Sequence, residues 1–349
     1  MASTEITIGS VSLKNPVICG SGEHVMTEAG LQSALDAGVG AVVAKSINET
    51  QAAKDQLDRT DYALLDGDWN RLPWDFTAPR NATLACRSGL QKTDFDTWLE
   101  IITRLDATAA NSGQYVIGSI ILADLDAAVD MAQQMAAAGV RILEFNIGTP
   151  YGDEAAGVVT TERATAPVTE IVKAVCDAVY IPVWAKITGQ SENVAALVQA
   201  ARAGGAETVV LMGRFLGMIP ELDTQAPLLG TNLGTGGGWA LPMTCYWLAK
   251  SRAALGADVP LIGINGARTG NDVLRMILAG AHAVEISSAV FTNGFSVLAD
   301  AVKTVESYLA NRDQNTMETV GRAADRVVSL SGLPQRPGFW EQFVPPEAL

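Results

Sequence analysis

The sequence contains few of the residues that bind metals or form disulfides. Its 349 residues include four cysteines and two histidines. The cysteines, Cys19, Cys86, Cys176 and Cys245, are far apart and form no CxxC pair, whereas zinc and iron–sulfur sites commonly use closely spaced cysteines. We therefore expect a reduced, cytoplasmic protein without a metal site.

Excess positive charge and long apolar runs are also missing from the sequence. The chain has 24 Lys and Arg against 38 Asp and Glu, a formal net charge of −14, which opposes sequence-independent binding to nucleic acid or to an anionic membrane. No run reaches the roughly 18 apolar residues of a membrane span, and residues 1–10 lack the features of a signal peptide. We expect a soluble protein that acts on a small molecule.

What the chain does contain is an alternation of two patterns. Segments rich in Val and Ile occur at 17–21, 41–45, 116–121, 141–145, 183–187, 208–212, 261–264 and 283–286. Between most of them, apolar residues three and four positions apart predict helices at 28–37, 126–138, 168–179, 193–203, 243–254 and 271–279. Eight strands alternating with helices indicate an α/β protein built on a (β/α)8 TIM barrel.

Two regions are larger than a minimal barrel requires. Residues 48–115 follow the second strand, and we expect an enlarged loop region on the active-site face, where barrel insertions concentrate. Residues 313–349 are expected to form a C-terminal helix and an extended aromatic tail, packed on the barrel or on a second subunit. The barrel itself is expected to span residues 1–312.

Polar residues at the ends of the predicted strands indicate where a ligand binds. Lys45 and Lys186 each follow an apolar run, and the carboxyl ends of barrel strands form the active-site rim. A buried ammonium needs an anionic or electron-rich ligand, or a neighbouring carboxylate as the simpler alternative. The segment 144–154 ends its strand at Asn146 and continues into Gly-Thr-Pro, which is typical of a functional loop.

The loops after the last two predicted strands indicate a phosphate site. Asn265-Gly266 and Ser287-Ser288 offer small side chains and backbone N–H groups, and Thr269 and Asn271 are expected to cap the helix between them. Glycines at 236–238 allow close approach of the backbone to a ligand. These features predict a phosphorylated ligand, although Gly and Ser are also common in ordinary turns.

The order of these motifs resembles that in the dihydroorotate and dihydropyrimidine dehydrogenases. The chain carries Asn15-Pro16-Val17, Gly20-Ser21-Gly22, Ala44-Lys45-Ser46, Asn146-Ile147-Gly148-Thr149-Pro150, Ala185-Lys186-Ile187, Gly236-Gly237, Gly263-Ile264-Asn265-Gly266 and Ser287-Ser288. His24-Val25-Met26-Thr27 also resembles the class 1 dihydroorotate dehydrogenases. The resemblance extends over residues 6–307.

The resemblance implies an FMN-binding barrel. The cofactor-binding residues would be Gly20, Ser21, Lys45, Ser46, Asn146, Lys186, Gly237, Asn265, Gly266, Ser287 and Ser288. A cation at Lys186 would stabilise the reduced flavin. The family default is a homodimer, and a chain without a cysteine cluster is compatible with a separate electron-transfer partner.

The catalytic loop differs from the family pattern. This chain has Thr149 where class 1 enzymes have Cys and class 2 enzymes have Ser as the proton acceptor. We expect Thr149, with Lys45 and Asn146, to form the catalytic centre of an oxidoreductase that transfers hydride between flavin N5 and a carbon–carbon bond beside a carbonyl. The alternative is a threonine that caps a turn.

The predicted substrate contacts differ still more. The family holds its pyrimidine with asparagines, where this chain has Tyr151 and Met212, and the family's Leu-Pro-Asn element becomes Leu90-Gln91-Lys92. Each hydrogen bond lost to a buried polar ligand costs roughly 1–3 kcal/mol, so we expect a substrate other than dihydroorotate.

Three basic residues would favour an acidic substrate: Lys92, Arg87 and Arg214. Three others would make one side of the site apolar and aromatic: Tyr151, Met212 and Trp239. Lys92 as a loop charge, Met212 as a core residue and Trp239 as a packing residue are the alternatives. Two alternative functions are a flavin-binding barrel without dehydrogenase activity and a non-redox lyase or isomerase that binds a phosphorylated ligand.

Overall fold

The computed structural model describes residues 2–148 and 165–348. In chain order its strands are β1 (Ile6–Ile8), β2 (Val11–Leu13), β3 (Val17–Cys19), β4 (Ala41–Val43), β5 (Asp61–Leu65), β6 (Arg71–Leu72), β7 (Thr83–Arg87), β8 (Tyr115–Ile121), β9 (Leu143–Asn146), β10 (Val183–Lys186), β11 (Thr208–Leu211), β12 (Phe215–Gly217), β13 (Leu233–Gly237), β14 (Leu261–Ile264) and β15 (Ala283–Ile286). Its α-helices are α1 (Glu28–Asp36), α2 (Gln51–Asp55), α3 (Phe95–Ala109), α4 (Leu125–Ala137), α5 (Thr165–Ala178), α6 (Val194–Ala203), α7 (Leu241–Leu255), α8 (Gly270–Leu278), α9 (Ser288–Asn293), α10 (Ser296–Ala310) and α11 (Thr316–Thr319).

Eight parallel strands close into a barrel, which confirms the predicted fold. Around the barrel the order is β3, β4, β8, β9, β10, β11, β14 and β15, and β15 pairs again with β3. Each predicted strand agrees with its barrel strand to within two residues at either end. The six predicted helices match α1 and α4 to α8 to within three residues at either end, whereas α3 was not predicted.

The alternation of side chains along the barrel strands explains why charged residues occur within apolar runs. In β9, Leu143 and Phe145 belong to the hydrophobic core. Glu144 lies between them and pairs with Lys186 of β10, which also pairs with Glu285 of β15. Because successive side chains of a strand point to opposite faces, Glu144 points into the barrel. The interior at this level is therefore polar, while the apolar residues pack beneath the helices.

A second sheet is formed by strands outside the barrel. Its order is β12, β13, β7, β5 and β6, with antiparallel pairing throughout. Strands β5 to β7 come from the region after β4, where the sequence predicts an enlarged loop. Strands β12 and β13 follow β11, and their part in this sheet was not predicted.

The C-terminal residues begin against the barrel and end at the surface. The N–H of Thr316, in α11, donates to the carbonyl of Ser3 at 3.0 Å. Between residues 325 and 348 all side chains except Val344 are exposed, including Trp340 at 60% and Phe343 at 72%. Across the described ranges, no helix has the length and apolar character needed to cross a membrane.

Candidate active site

A cavity lies between the carboxyl ends of the barrel strands and the five-stranded sheet. The barrel contributes Lys45, Asn146 and Lys186 to its wall, and the sheet contributes Tyr62 and Leu84. Barrel enzymes place their active sites at the carboxyl ends of the strands. The cavity is therefore the candidate active site.

Most of the residues predicted to bind the cofactor line this cavity, and Gly20 and Gly237 do not. Those that line it are Ser21, Lys45, Ser46, Asn146, Lys186, Asn265, Gly266, Ser287 and Ser288. Gly20 directly precedes Ser21. A Cβ at Gly237 would lie 2.8 Å from the carbonyl oxygen of Ala82, so the backbones of β13 and its neighbour approach too closely there for a side chain.

Lys186, at the end of β10, is held by two carboxylates inside the barrel. Its Nζ donates to Glu285 Oε2 at 2.7 Å and to the two oxygens of Glu144 at 3.1 and 3.3 Å. Both glutamate side chains are fully buried. Burial by itself would lower the pKa of Lys186, but the two carboxylates outweigh burial and raise that pKa above its ordinary value. The lysine therefore remains charged at the cavity wall.

Lys45, at the end of β4 on the same rim, pairs with Glu23. Lys45 Nζ lies 3.4 Å from Glu23 Oε1, and the two side chains are 5% and 18% exposed. Burial favours the neutral form of Glu23, but Lys45, and after it Tyr62 and Arg214, lower the pKa of the carboxyl below its usual value. Lys45 and Lys186 thus each have a neighbouring carboxylate, which was the alternative to a ligand contact. Each lysine also lines the cavity.

His24 and a row of serines complete the wall near β3 and β4. Burial lowers the pKa of His24 to about 4, so its ring is neutral at neutral pH, and Nε2 lies 3.1 Å from the carbonyl oxygen of Gly20. Ser46 Oγ lies 3.3 Å from Ser21 Oγ and 2.8 Å from Ser119 Oγ. Because hydroxyl groups both donate and accept hydrogen bonds, the serines on this part of the wall can bind either a donor or an acceptor atom of a ligand.

The loops after β14 and β15 form the part of the cavity where the sequence predicts phosphate. Gly266 has φ of 107°. A Cβ there would lie 2.6 Å from Leu241 Cα, so the position requires glycine. Ser287 and Ser288 line the same cavity. The backbone can therefore approach a ligand closely at this point.

The start of α8 is occupied by a carboxylate of the chain itself. Thr269 caps the helix, as predicted, and forms a capping box with Asp272. Asp272 Oδ2 accepts hydrogen bonds from the backbone N–H groups of Arg268 and Thr269 at 3.2 and 3.1 Å. Asn271 lies within the helix instead of capping it. The N–H groups of Arg268 and Thr269, just before α8, are therefore already bonded to a carboxylate of the chain.

Arg268 is a residue of this loop that the sequence analysis did not identify. It is 6% exposed, and its Nη2 donates to Asn293 Oδ1 at 3.0 Å. Its Nη1 is buried without a hydrogen-bond partner among the described residues. A buried guanidinium nitrogen without a partner is unfavourable unless it meets an acceptor. Its position two residues after Gly266, in the predicted phosphate loop, could have identified Arg268 from the sequence.

Two residues expected to contact substrate, Met212 and Lys92, do not line the cavity. Met212 is fully buried in the main hydrophobic core, where a Cβ added to Gly189 would come 2.7 Å from its Cβ. Lys92 forms an ion pair with Asp58, and its side chain is 42% exposed. Met212 is packed among apolar side chains, which favours the alternative that it is a core residue. Lys92 is paired with a surface carboxylate, which favours the alternative that it is a loop charge.

The other residues considered for substrate contact differ in position. Arg214 lines the cavity, and its Nη1 donates to Ser88 Oγ at 2.6 Å. Arg87 Nε donates to the carbonyl of Arg59 at 2.6 Å. Trp239 is 40% exposed and packs against an aromatic ring of β12 at 5.6 Å. Of these three, Arg214 is the one on the cavity wall.

Thr149 and Tyr151 lie outside the described residues. Asn146 is the last predicted site residue of that segment within them. Its Oδ1 accepts the N–H of Gly148 at 3.0 Å, which leaves its amide N–H groups to donate into the cavity.

Several wall residues come from the five-stranded sheet and were not predicted as site residues. They are Tyr62, Leu84, Cys86 and Thr235. Glu23 was also missed, although it directly follows the Gly20-Ser21-Gly22 motif and could have been found there. The sheet residues carry no comparable local motif, because their position depends on pairing between β5, β7 and β13.

Comparison with known proteins gives a consistent family match. The family profile described as "Dihydroorotate dehydrogenase" matches residues 68–309. The chain is 26% identical over 324 residues to "Dihydroorotate dehydrogenase B (NAD(+)), catalytic subunit" of Methanosarcina mazei, covering 92% of this chain and 95% of that protein. The protein of the same description from Methanocella arvoryzae is 29% identical, with 92% and 97% covered. "Dihydroorotate dehydrogenase A (fumarate)" of Lactiplantibacillus plantarum is 35% identical over 50% of this chain and 57% of its own.

Proposed function

The chain belongs to the dihydroorotate dehydrogenase family and is an FMN-dependent oxidoreductase acting on CH–CH bonds; within this class, we propose that it acts on an acidic substrate other than dihydroorotate. The reacting bond is adjacent to a carbonyl, and Thr149 handles the proton. The observation that carries the proposal is the position of Arg214 in the cavity that Lys45, Asn146 and Lys186 also line.

The chemistry of the cavity fits FMN. Lys186 and Asn146 offer a cation and amide donors to the polar edge of a flavin ring, and Ser21 and Ser46 offer hydroxyls to a polyol chain. The loop containing Gly266 permits close backbone approach, as a phosphate group requires. We assign the cofactor contacts to the residues predicted from the sequence.

Arg268 extends this fit. Its buried Nη1 has no hydrogen-bond partner among the described residues, and Ala267, its neighbour in the chain, lines the cavity. A phosphate group is an acceptor of the kind this nitrogen needs. We place Arg268 at the phosphate end of the site.

FMN, when bound, supplies the hydride-accepting and hydride-donating atom that amino acid side chains lack. The protein supplies orientation, charge and proton transfer. Lys186 would hold positive charge beside the polar edge of the flavin ring, and residues of the five-stranded sheet line the opposite boundary of the strand-end rim.

Thr149 is the proposed proton-transfer residue. It follows Gly148, where a Cβ would lie 2.6 Å from the carbonyl carbon of Ile187, so the entry to this loop is packed closely against the neighbouring strand end. A threonine hydroxyl is a weak base, and it must pass the proton onward to water or to another group. Tyr151, two residues later, is proposed to contact the substrate.

Arg214 carries the proposed preference for an acidic substrate. Its guanidinium presents planar donors that suit a carboxylate, and Ser88 orients one of its nitrogens at 2.6 Å. Tyr62 and Leu84 of the sheet add an apolar surface on the same side. We propose an unsaturated or saturated carboxylic acid with a neighbouring carbonyl.

The test uses the full chain reconstituted with FMN. We expect a flavin absorbance band after reconstitution, and we expect the photoreduced protein to be reoxidised rapidly by an activated, carboxylate-bearing alkene but slowly by orotate. Arg214→Gln should raise the KM for that alkene at least tenfold, and Arg87→Gln is the matched control. A protein that binds FMN and reacts with no alkene would instead be a flavin-binding barrel without dehydrogenase activity. A colourless preparation would contradict the proposal altogether.

We further propose a cytoplasmic homodimer that exchanges electrons with a separate partner. The four cysteines are free, as a reducing compartment requires. Residues 313–349, with the exposed aromatic side chains of Phe339, Trp340 and Phe343, are proposed to pack on the second subunit.

A further inference from the structure

Three ionisable side chains meet below the candidate cofactor site. Lys186 Nζ is 2.7 Å from Glu285 Oε2 and 3.1 Å from Glu144 Oε1. Their side chains are 8%, 0% and 0% exposed in that order. They come from β10, β15 and β9, so the closure of the barrel holds them together.

The charges of this cluster do not balance when all three groups are ionised. One ammonium and two carboxylates give a net charge of −1 away from water, and such a charge is unfavourable. Two carboxyls at one site keep a proton more readily than either would alone. Burial, and after it Glu285, raises the pKa of Glu144 well above its ordinary range. One bound proton makes the cluster neutral, and it belongs to the carboxyl pair and not to one residue.

Glu285 connects the cluster to the cavity. Its Oε1 is buried without a hydrogen-bond partner among the described residues, yet Glu285 and Lys186 both line the cavity. A Cβ at Gly20, one of the predicted flavin contacts, would lie 3.1 Å from Glu285 Oε2, so the backbone at Gly20 lies directly against that carboxyl.

The other ionisable side chains nearby are buried or paired. Cys19, on β3, is fully buried, and burial together with Glu285 raises the pKa of its thiol. Lys45, two residues after β4, is paired with Glu23. The neighbouring strand β8 contributes the neutral Ser119 at the register of Glu144. Within the described part of the barrel, the carboxyl pair is therefore the group suited to exchange a proton.

We propose that Glu144 and Glu285 share one proton and that the pair takes up or releases a proton as the charge on the FMN beside Lys186 changes. The inference rests on the proposed placement of FMN. Two electrons and one proton equivalent reach the cofactor as hydride from the substrate. At pH values where the oxidised protein has lost the shared proton, the added negative charge would draw that proton back from solvent onto the carboxyl pair, and oxidation would release it again.

The first test is the dependence of the FMN reduction potential on pH, measured in the full protein with redox dyes. At pH values where the oxidised protein has lost the shared proton, we expect uptake of two protons per two electrons. Glu285→Gln should reduce this to one, because a single carboxylate balances the lysine, and Glu144→Gln should act in the same way. Glu28→Gln, a surface change of equal charge, should leave the wild-type slope. Equal slopes in the wild type and both cluster variants would overturn the proposal.

The second test uses the wild-type protein alone, so it does not depend on whether a variant folds. An infrared difference spectrum of reduced minus oxidised wild-type protein should contain a carboxylic acid C=O band that shifts in D2O. Absence of this band across the same pH range, in protein that binds and reduces FMN, would refute proton uptake by the pair. Failure to bind FMN would instead contradict the proposed placement of FMN in this cavity, so the two failures are distinguishable.

Discussion

At the scale of single residues, the proposed proton transfer depends on Thr149. Thr149→Ala removes the hydroxyl, and we expect turnover to fall by roughly 10²–10⁴-fold while FMN remains bound. Thr149→Ser keeps the hydroxyl and should retain most of the activity. Steady-state rates and flavin absorbance measure the two effects separately. Full turnover in Thr149→Ala would remove this residue from the mechanism.

A second residue-scale prediction concerns His282, which is buried at the amino end of β15. Burial lowers its pKa from the ordinary 6.5 to about 4. The unfolded chain therefore binds a proton at a higher pH than the folded chain does, and the stability gained from burying the neutral ring is lost as the pH falls from 6.5 towards 4. Between pH 6.5 and 4.5 the loss should be roughly 2 kcal/mol.

The measurement is the free energy of unfolding at both pH values for the wild type and for His282→Asn. The difference between the two proteins isolates His282, because the shared contribution of His24 cancels. The contribution of Glu144 cancels in the same way. Its pKa is raised in the folded state, so its protonation stabilises the folded protein at low pH and this stabilisation is lost as the pH rises. An identical pH dependence in both proteins would contradict the burial of a neutral histidine.

At the scale of elements, the loop after β14 sets the shape of the proposed phosphate site. Gly266→Ala would place a methyl group against Leu241 in a left-handed backbone conformation, with φ of 107°. We expect the dissociation constant for FMN to rise at least tenfold, and the preference for FMN over riboflavin to shrink. Fluorescence titration with both flavins measures this.

Gly256→Ala is the matched control for the loop. Gly256 has φ of 102°, but nothing lies within 4 Å of a Cβ at that position. It therefore carries the same backbone strain, about 1 kcal/mol, without the steric clash and away from the cavity. Equal loss of FMN affinity in both variants would mean that strain, and not the close approach at Gly266, controls binding.

At the scale of the whole molecule, the exposed tail is the surface proposed to form the dimer. Replacing Trp340 and Phe343, which are 60% and 72% exposed, with Ser should shift the protein towards monomer, because aromatic side chains contribute strongly to interfaces. Leu222→Ser, at a residue 91% exposed, is the control for loss of an exposed apolar side chain. Analytical ultracentrifugation across a concentration series distinguishes the outcomes. An unchanged dimer would exclude the tail from the interface.

The sequence determined the barrel and its polar rim. Apolar segments alternating with helices specify strands and helices locally, so eight strands could be placed to within two residues. The polar residues at their ends, such as Lys45, Asn146 and Lys186, had to meet at one rim, because parallel strands in a barrel all end on the same face.

Only the tertiary structure decided which of these groups pair and what covers them. The pairing of β7 with β13 joins positions such as Cys86 and Gly234, and β5 pairs in turn with β7, so no local pattern specifies the contact. The same holds for Glu144, Lys186 and Glu285, whose contacts depend on barrel closure. Side-chain type and periodicity are local properties of a chain, whereas charge balance and enclosure depend on distances between residues remote in sequence.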